Sequence, residues 1–357
     1  MLHKALLAVA LCACAPSLDD SAAGESDVVV DTGSPAARAQ YDADVAFAQG
    51  YTARCTGPVT GHPRVLVTGF GRFLDVTENA TGLMASALVP AARYPRTAPP
   101  AAGQVDLPAP QTSVGMGTLT LPKMGKVDVC AVILPVHWDV AAIVAAKEID
   151  SWNPSFVLMN GVADDRQTLW LELGSVNQSM SLEDGSGKLV ADGKRLISGG
   201  ETLKGMLLSW QPVEAAARAA VAAHAADSEA GTRFGDLVLG AQLAGFPRAG
   251  NTYLCNDVTY VVNWLLGHPG KKATLLQSSK SLAGKQNAVV YGLKRDLHAV
   301  PRVFLHWPTT LRGNNVAAGA AVMAQVIDAQ LAALLSGPRP SVGSNAQAEI
   351  AASGGTF

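Results

Sequence analysis

The sequence predicts an α/β protein: a three-layer α/β/α sandwich on a twisted, mostly parallel sheet. Three observations carry this. Short apolar runs of strand length alternate with segments of helical spacing. The runs are apolar at nearly every position, as strands covered on both faces by helices are. The 357 residues, 48% of them apolar and including 6 Trp, are enough for one large domain or two ordinary ones.

Taken in order, "RVLVTGF" is the first strand and "ENATGLMASALVPAA" the first helix. "VDVCAVILPV" and "DVAAIVAAKEIDSW" repeat the pair, and "SFVLMNG" is a third strand. "PVEAAARAAVAAHAA" and "NDVTYVVNWLL" are helices, "RVFLHWP" is a strand, and "AAGAAVMAQVIDAQLAALL" is a final helix. Stretches rich in Pro, Gly and Lys near 94–126, 184–204 and 267–302 read as insertions on one domain spanning 61–336. Residues 15–60 are expected to be a tether and irregular lead-in, and 337–357 a disordered tail.

The formal net charge of −2 and the lack of a basic patch argue against a nucleic-acid partner. Residues 1–14, "MLHKALLAVALCAC", join a short basic start to an apolar run too short to span a bilayer. The run ends in Leu11-Cys12-Ala13-Cys14, which resembles a bacterial lipobox with Cys14 as the lipid-bearing residue. The expected location is the cell envelope, on a periplasmic or surface face. The membrane is then met through the lipid anchor alone. Plain secretion is the alternative.

Beyond Cys14 three cysteines remain, Cys55, Cys130 and Cys255. In an oxidising compartment an odd number suggests one pair and one free thiol. Cys55 with Cys130 is the pairing that spares Cys255; the other reading is two inert thiols.

Several motifs fail. "GFGRFL" holds Leu74 where a dinucleotide fingerprint needs its third glycine, and "GSGK" lacks the rest of a phosphate loop. There is no G-x-S-x-G elbow. The 7 His show no ligand spacing, so neither a metal nor an organic cofactor is expected.

In "TYLCNDVTYVV", Asn256 and Asp257 are suitable N-cap residues for the helix that follows. Cys255 is then at a helix N-terminus, where the dipole favours a thiolate. A lone cysteine is also commonly buried and inert. His306 ends the apolar run "VFLHWP", at the sheet edge where ligand and catalytic groups gather, or is a satisfied structural residue. Glu172 lies among alternating leucines in "LWLELGSV", where a buried carboxylate needs a partner; a solvent-facing edge position is the alternative.

These segments, in order, resemble pyroglutamyl peptidase I, a cysteine peptidase family that removes N-terminal pyroglutamate. "RVLVTGFGRF" is similar to its opening strand and loop, and "VILPVHWD" to its following strand end. "NGVADDRQTLWLELGSVN" is similar to the segment holding an arginine and, six positions later (172 − 166), the catalytic glutamate. "LLSWQPVEAA", "TYLCND" and "VFLHWP" are similar to the later helix start, the nucleophile segment and the histidine segment. The resemblance is colinear over about 64–310. It implies a phosphorylase/hydrolase-like sandwich with Cys255 as nucleophile, His306 as base and then acid, and Glu172 orienting His306. It also implies that Phe70, Phe73, Tyr253, Leu254 and Arg166 contact the substrate, a peptide with a blocked N-terminus, without any cofactor.

The sequence departs from the family at several points. Arg72 replaces a proline, Asp164-Asp165 a Gly-Gly pair, and Val162 a pocket glutamine. An arginine beyond the glutamate segment is missing, and Cys255 and His306 are 51 positions apart (306 − 255), longer than in ordinary members. The expected function is therefore a cysteine-type omega peptidase of the pyroglutamyl type. The alternatives are a cysteine amidase acting on another peptide or cell-wall substrate, and an inactive envelope binding protein. Nothing in the sequence sets the oligomeric state.

Overall fold

The computed structural model describes residues 24–26, 28–30, 32–73, 76–95, 110–163, 167–247, 251–278, 288–311, 315–337 and 339–352. Cys14, with the rest of 1–14, lies outside the described residues, as does Arg166.

Seven strands form the central sheet: β1 (Arg64–Phe70), β2 (Ser113–Leu121), β3 (Gly125–Leu134), β4 (Phe156–Val162), β5 (Thr168–Glu172), β6 (Gly240–Ala244) and β7 (Arg302–Trp307). Their order is β6-β5-β7-β4-β1-β3-β2. The inner four, β3, β1, β4 and β7, pair in parallel. They are the apolar runs read from the sequence, and they are buried along most of their length.

The flanks are antiparallel where the connections are short. β2 and β3 form a hairpin whose turn ends on Gly125 at φ 67, and β2 alternates buried and exposed positions as an edge strand does. The β4 to β5 connection is too short for the crossover a parallel return needs. β5 therefore runs back against β7 and carries β6 beside it.

Helices cover both faces. α3 (Val140–Trp152) and α5 (Leu254–Gly267) pack on one, with α1 (Pro35–Gly50) against α3. α2 (Ala80–Leu88), α4 (Trp210–His224) and α6 (Val316–Ser336) pack on the other. α6 is long and apolar enough to cross a membrane, but it is mostly buried against this second face.

Three sequence expectations are corrected. The lead-in is not irregular throughout. α1 starts at Ser34, whose side chain accepts from the Ala37 N–H, and it places Tyr41, Val45 and Ala48 in the core. Its apolar positions are spread among small and charged residues, so its period is faint. The tail is likewise structured in part. Ser341–Val342 pairs with Leu207–Leu208, and α7 (Ser344–Ala352) follows with Ala346 fully buried. Lastly, 94–126 is not wholly an insertion, because it contains the sheet's own edge strand β2.

Part of the 267–302 stretch pairs with the N-terminal segment. Ala273–Leu275 pairs with Gly24–Glu25, and Gln277–Ser278 pairs with Val29–Val30. Cys55 and Cys130 form a disulfide joining the end of the lead-in to β3, and Cys255 is free.

Candidate active site

β5 and β7 place the first pair of side chains. Their antiparallel register sets Glu172 opposite Phe304 and Trp170 opposite His306. Glu172 and His306 are thus diagonal neighbours on one face of the sheet, within reach of long side chains. His306 Nδ1 lies 2.6 Å from Glu172 Oε1, and both residues are 3% exposed. A carboxylate at Nδ1 orients the ring and leaves Nε2 pointing away. Nε2 is itself buried without a hydrogen-bond partner among the described residues.

Cys255 is the second residue of α5, so it sits at the helix N-terminus as expected. The cap is not the one expected. Tyr253 is the N-cap and its side chain makes no capping bond. Asn256 instead bonds both the N–H and the C=O of Val176, and Asp257 accepts from the Asp139 N–H. Tertiary partners took the side chains that local sequence offered to the helix end. The N–H groups at the start of α5 therefore stay available to an anion.

Gly161 on β4 brings the two halves together. It pairs with His306 across the sheet, and a Cβ there would lie 2.6 Å from Cys255 Sγ and 2.7 Å from the Phe304 ring. The thiol packs over a bare backbone position. Burial would depress the His306 pKa, but the charge of Glu172 and then the interaction with Cys255 outweigh it and raise the pKa to about 10.

The wall beside the thiol is aromatic. The rings of Phe73 and Tyr253 are 5.7 Å apart, and Trp138 meets Tyr253 edge-on at 5.5 Å. Phe73 and Tyr253 are half-buried; Phe70 and Leu254 are buried in the core behind them. Among the described residues no three His, Cys, Asp or Glu side chains group as metal ligands.

No family model and no curated protein matches the chain. Solved structures do. Pyroglutamyl peptidase I from Bacillus amyloliquefaciens shares 14% identity over 76% of this chain and 98% of its own, with a TM-score of 0.45. Pyrrolidone carboxyl peptidase from Thermococcus litoralis shares 16% over 78% and 98%, at 0.47. A mutant of the Pyrococcus furiosus enzyme shares 17% over 75% and 98%, at 0.45. At this identity the likeness is one of chain path alone.

Two parts of the site escaped sequence reasoning. One is Trp138, fully buried behind Tyr253. The other is a buried ionic cluster beneath it. Lys188, in the rejected "GSGK" stretch, forms ion pairs with Asp44 of α1 and with Asp184, and His137 Nδ1 lies 2.9 Å from Asp44 Oδ1. Burial works to raise the Asp44 pKa, yet Lys188 and His137 hold it at about 2. Asp184 also accepts from the Trp138 N–H, and Tyr253 donates its hydroxyl to the Glu183 C=O at 2.6 Å. The 184–204 stretch therefore clamps the aromatic wall. The available signal was an Asp four residues before a Lys in a loop, which has meaning only once Asp44 is beside it.

Proposed function

We propose that the chain is a cysteine hydrolase of the pyroglutamyl-peptidase type, acting on peptides with a blocked N-terminus. The observation that supports this is the pairing of His306 with Glu172 at 2.6 Å, with Cys255 Sγ packed against Gly161, the residue opposite His306 on the neighbouring strand. With the thiol proton resting on His306 Nε2, Cys255 Sγ attacks the carbonyl carbon of the terminal pyroglutamyl residue. The oxyanion receives hydrogen bonds from N–H groups at the start of α5, which Tyr253 leaves uncapped. The tetrahedral species collapses as the C–N bond breaks, and His306 gives its proton to the departing amine. Water, deprotonated by His306, then cleaves the thioester and frees pyroglutamate. Phe73 and Tyr253 offer the flat apolar contact a lactam ring takes. Lipidation at Cys14 tethers the domain to the cell envelope.

Val162 and Arg72 favour a second reading, a cysteine amidase with another substrate, because neither side chain supplies what the family has there. A chromogenic pyroglutamyl amide assay on the wild type and Cys255→Ala tests both. Cysteine-dependent release is expected. No release, with Cys255 still alkylated by iodoacetamide at neutral pH, favours the amidase. A folded protein that neither turns over nor labels overturns both enzymatic readings and favours a binding protein.

A further inference from the structure

A cavity lies away from Cys255, His306 and Glu172, at the other end of β7. Arg302 opens that strand and is only 5% exposed. Its Nε donates to Asn263 Oδ1 at 2.7 Å, and its Nη1 to the C=O groups of His298 and Val300 at 3.0 and 2.9 Å. Nη2 makes no hydrogen bond to a described residue, and no described carboxylate pairs with the guanidinium. A buried cation held by neutral acceptors alone is costly. Burial lowers its pKa to about 10, which leaves it charged at neutral pH.

Lys204 stands beside it. A Cβ on Gly267 would lie 3.0 Å from Lys204 Nζ and 3.9 Å from Arg302 Nη2, so this glycine lets the two cations share one side of the cavity. Lys204 is paired with Glu201 at 3.0 Å. The pocket floor therefore keeps about one uncompensated positive charge. The cavity measures about 430 Å³, within the range of small-molecule sites. Exposed Arg339 also lines it, and Leu207, Pro340 and Val342 supply apolar walls.

We propose that this cavity binds a small organic monocarboxylate, with Arg302 Nη2 and Lys204 holding the carboxylate and the apolar walls holding its body. One net buried charge suits a monoanion. A dianionic phosphate would overshoot it and would sit close to Glu201. The apolar walls have no use for a bodiless ion. The carboxylate belongs either to a free acid or to a peptide C-terminus, which share this chemistry.

Calorimetric titration of the full chain at fixed ionic strength tests the proposal, with hexanoate, hexanol, inorganic phosphate and a leucine-ended dipeptide bearing a free C-terminus as probes. Saturable binding of hexanoate or the dipeptide is expected, with hexanol and phosphate at least about tenfold weaker. The tighter of the two carboxylates names the source. Arg302→Gln should weaken the better probe about tenfold, and Lys204→Gln and Arg339→Gln about threefold each. Binding of neither carboxylate overturns the proposal, as does equal binding of hexanol or preferred binding of phosphate. If Arg302→Gln does not fold, unchanged affinity in both Lys204→Gln and Arg339→Gln overturns it equally.

Discussion

His306 Nδ1 and Glu172 Oε1 meet at 2.6 Å across 134 residues of chain because β5 runs back against β7 in a register that makes them diagonal neighbours. The antiparallel turn at the β4–β5 connection is therefore a condition for the site. Had β5 continued the parallel order of the inner strands, its cross-strand partners on β7 would be different ones.

The Glu172–His306 pair sets an expected pH profile. With His306 as the acid that protonates the leaving amine, activity should fall on an alkaline limb near pH 10. Glu172→Gln removes the nearer anion, so the limb should move down by at least about one unit toward the ordinary 6.5. The sign for stability follows from linkage. A raised histidine pKa stabilises the fold fully below 6.5, and the gain is lost as pH rises through about 10. The stability deficit of Glu172→Gln should shrink over the same interval. Rate profiles and urea melts at several pH values check this, and an unmoved alkaline limb removes His306 from the role of acid.

Gly161→Ala should disable the site with little global damage. Its Cβ would overlap Cys255 Sγ at 2.6 Å and the Phe304 ring at 2.7 Å. Overpacking of this kind costs about 1–3 kcal/mol, while displacing the sulfur by about 1 Å costs about 100-fold in rate. Turnover and the alkylation rate of Cys255 should fall together. Wild-type rates in the variant would show that the thiol does not depend on this bare position.

Lys188→Met should strongly destabilise the fold, by about 3–5 kcal/mol, because Asp44 and Asp184 lose their buried cation. Adding Asp44→Asn should recover part of the loss. Chemical denaturation of the wild type, Lys188→Met, Asp44→Asn and the double variant gives the coupling. Additive losses would mean the pair is not energetically joined.

Replacing Cys55 and Cys130 by Ala should cost about 2–4 kcal/mol, since the disulfide closes a separation of 75 residues in the unfolded chain. Of Cys55, Cys130 and Cys255, iodoacetamide should label Cys255 alone in the native wild type, because it is the free cysteine among the described residues. Mass spectrometry of the labelled protein checks this directly, and alkylation of Cys55 or Cys130 would contradict the bond.

The composition of the inner strands settled the fold class without help. Runs such as "VDVCAVILPV" are apolar on both faces, and a run like that is soluble only between two helical layers. Cys255 was placed at a helix start by the apolar period that follows it. What the linear pattern does not contain is partnership. Asn256 and Asp257 look like caps locally and are spent on Val176 and Asp139 instead. Lys188 looks like a failed phosphate loop and is a buried counter-ion to Asp44. Register, burial and charge pairing arise between segments far apart in the chain. Tertiary packing alone decided that Glu172 faces His306 and that Gly161 leaves room for the thiol.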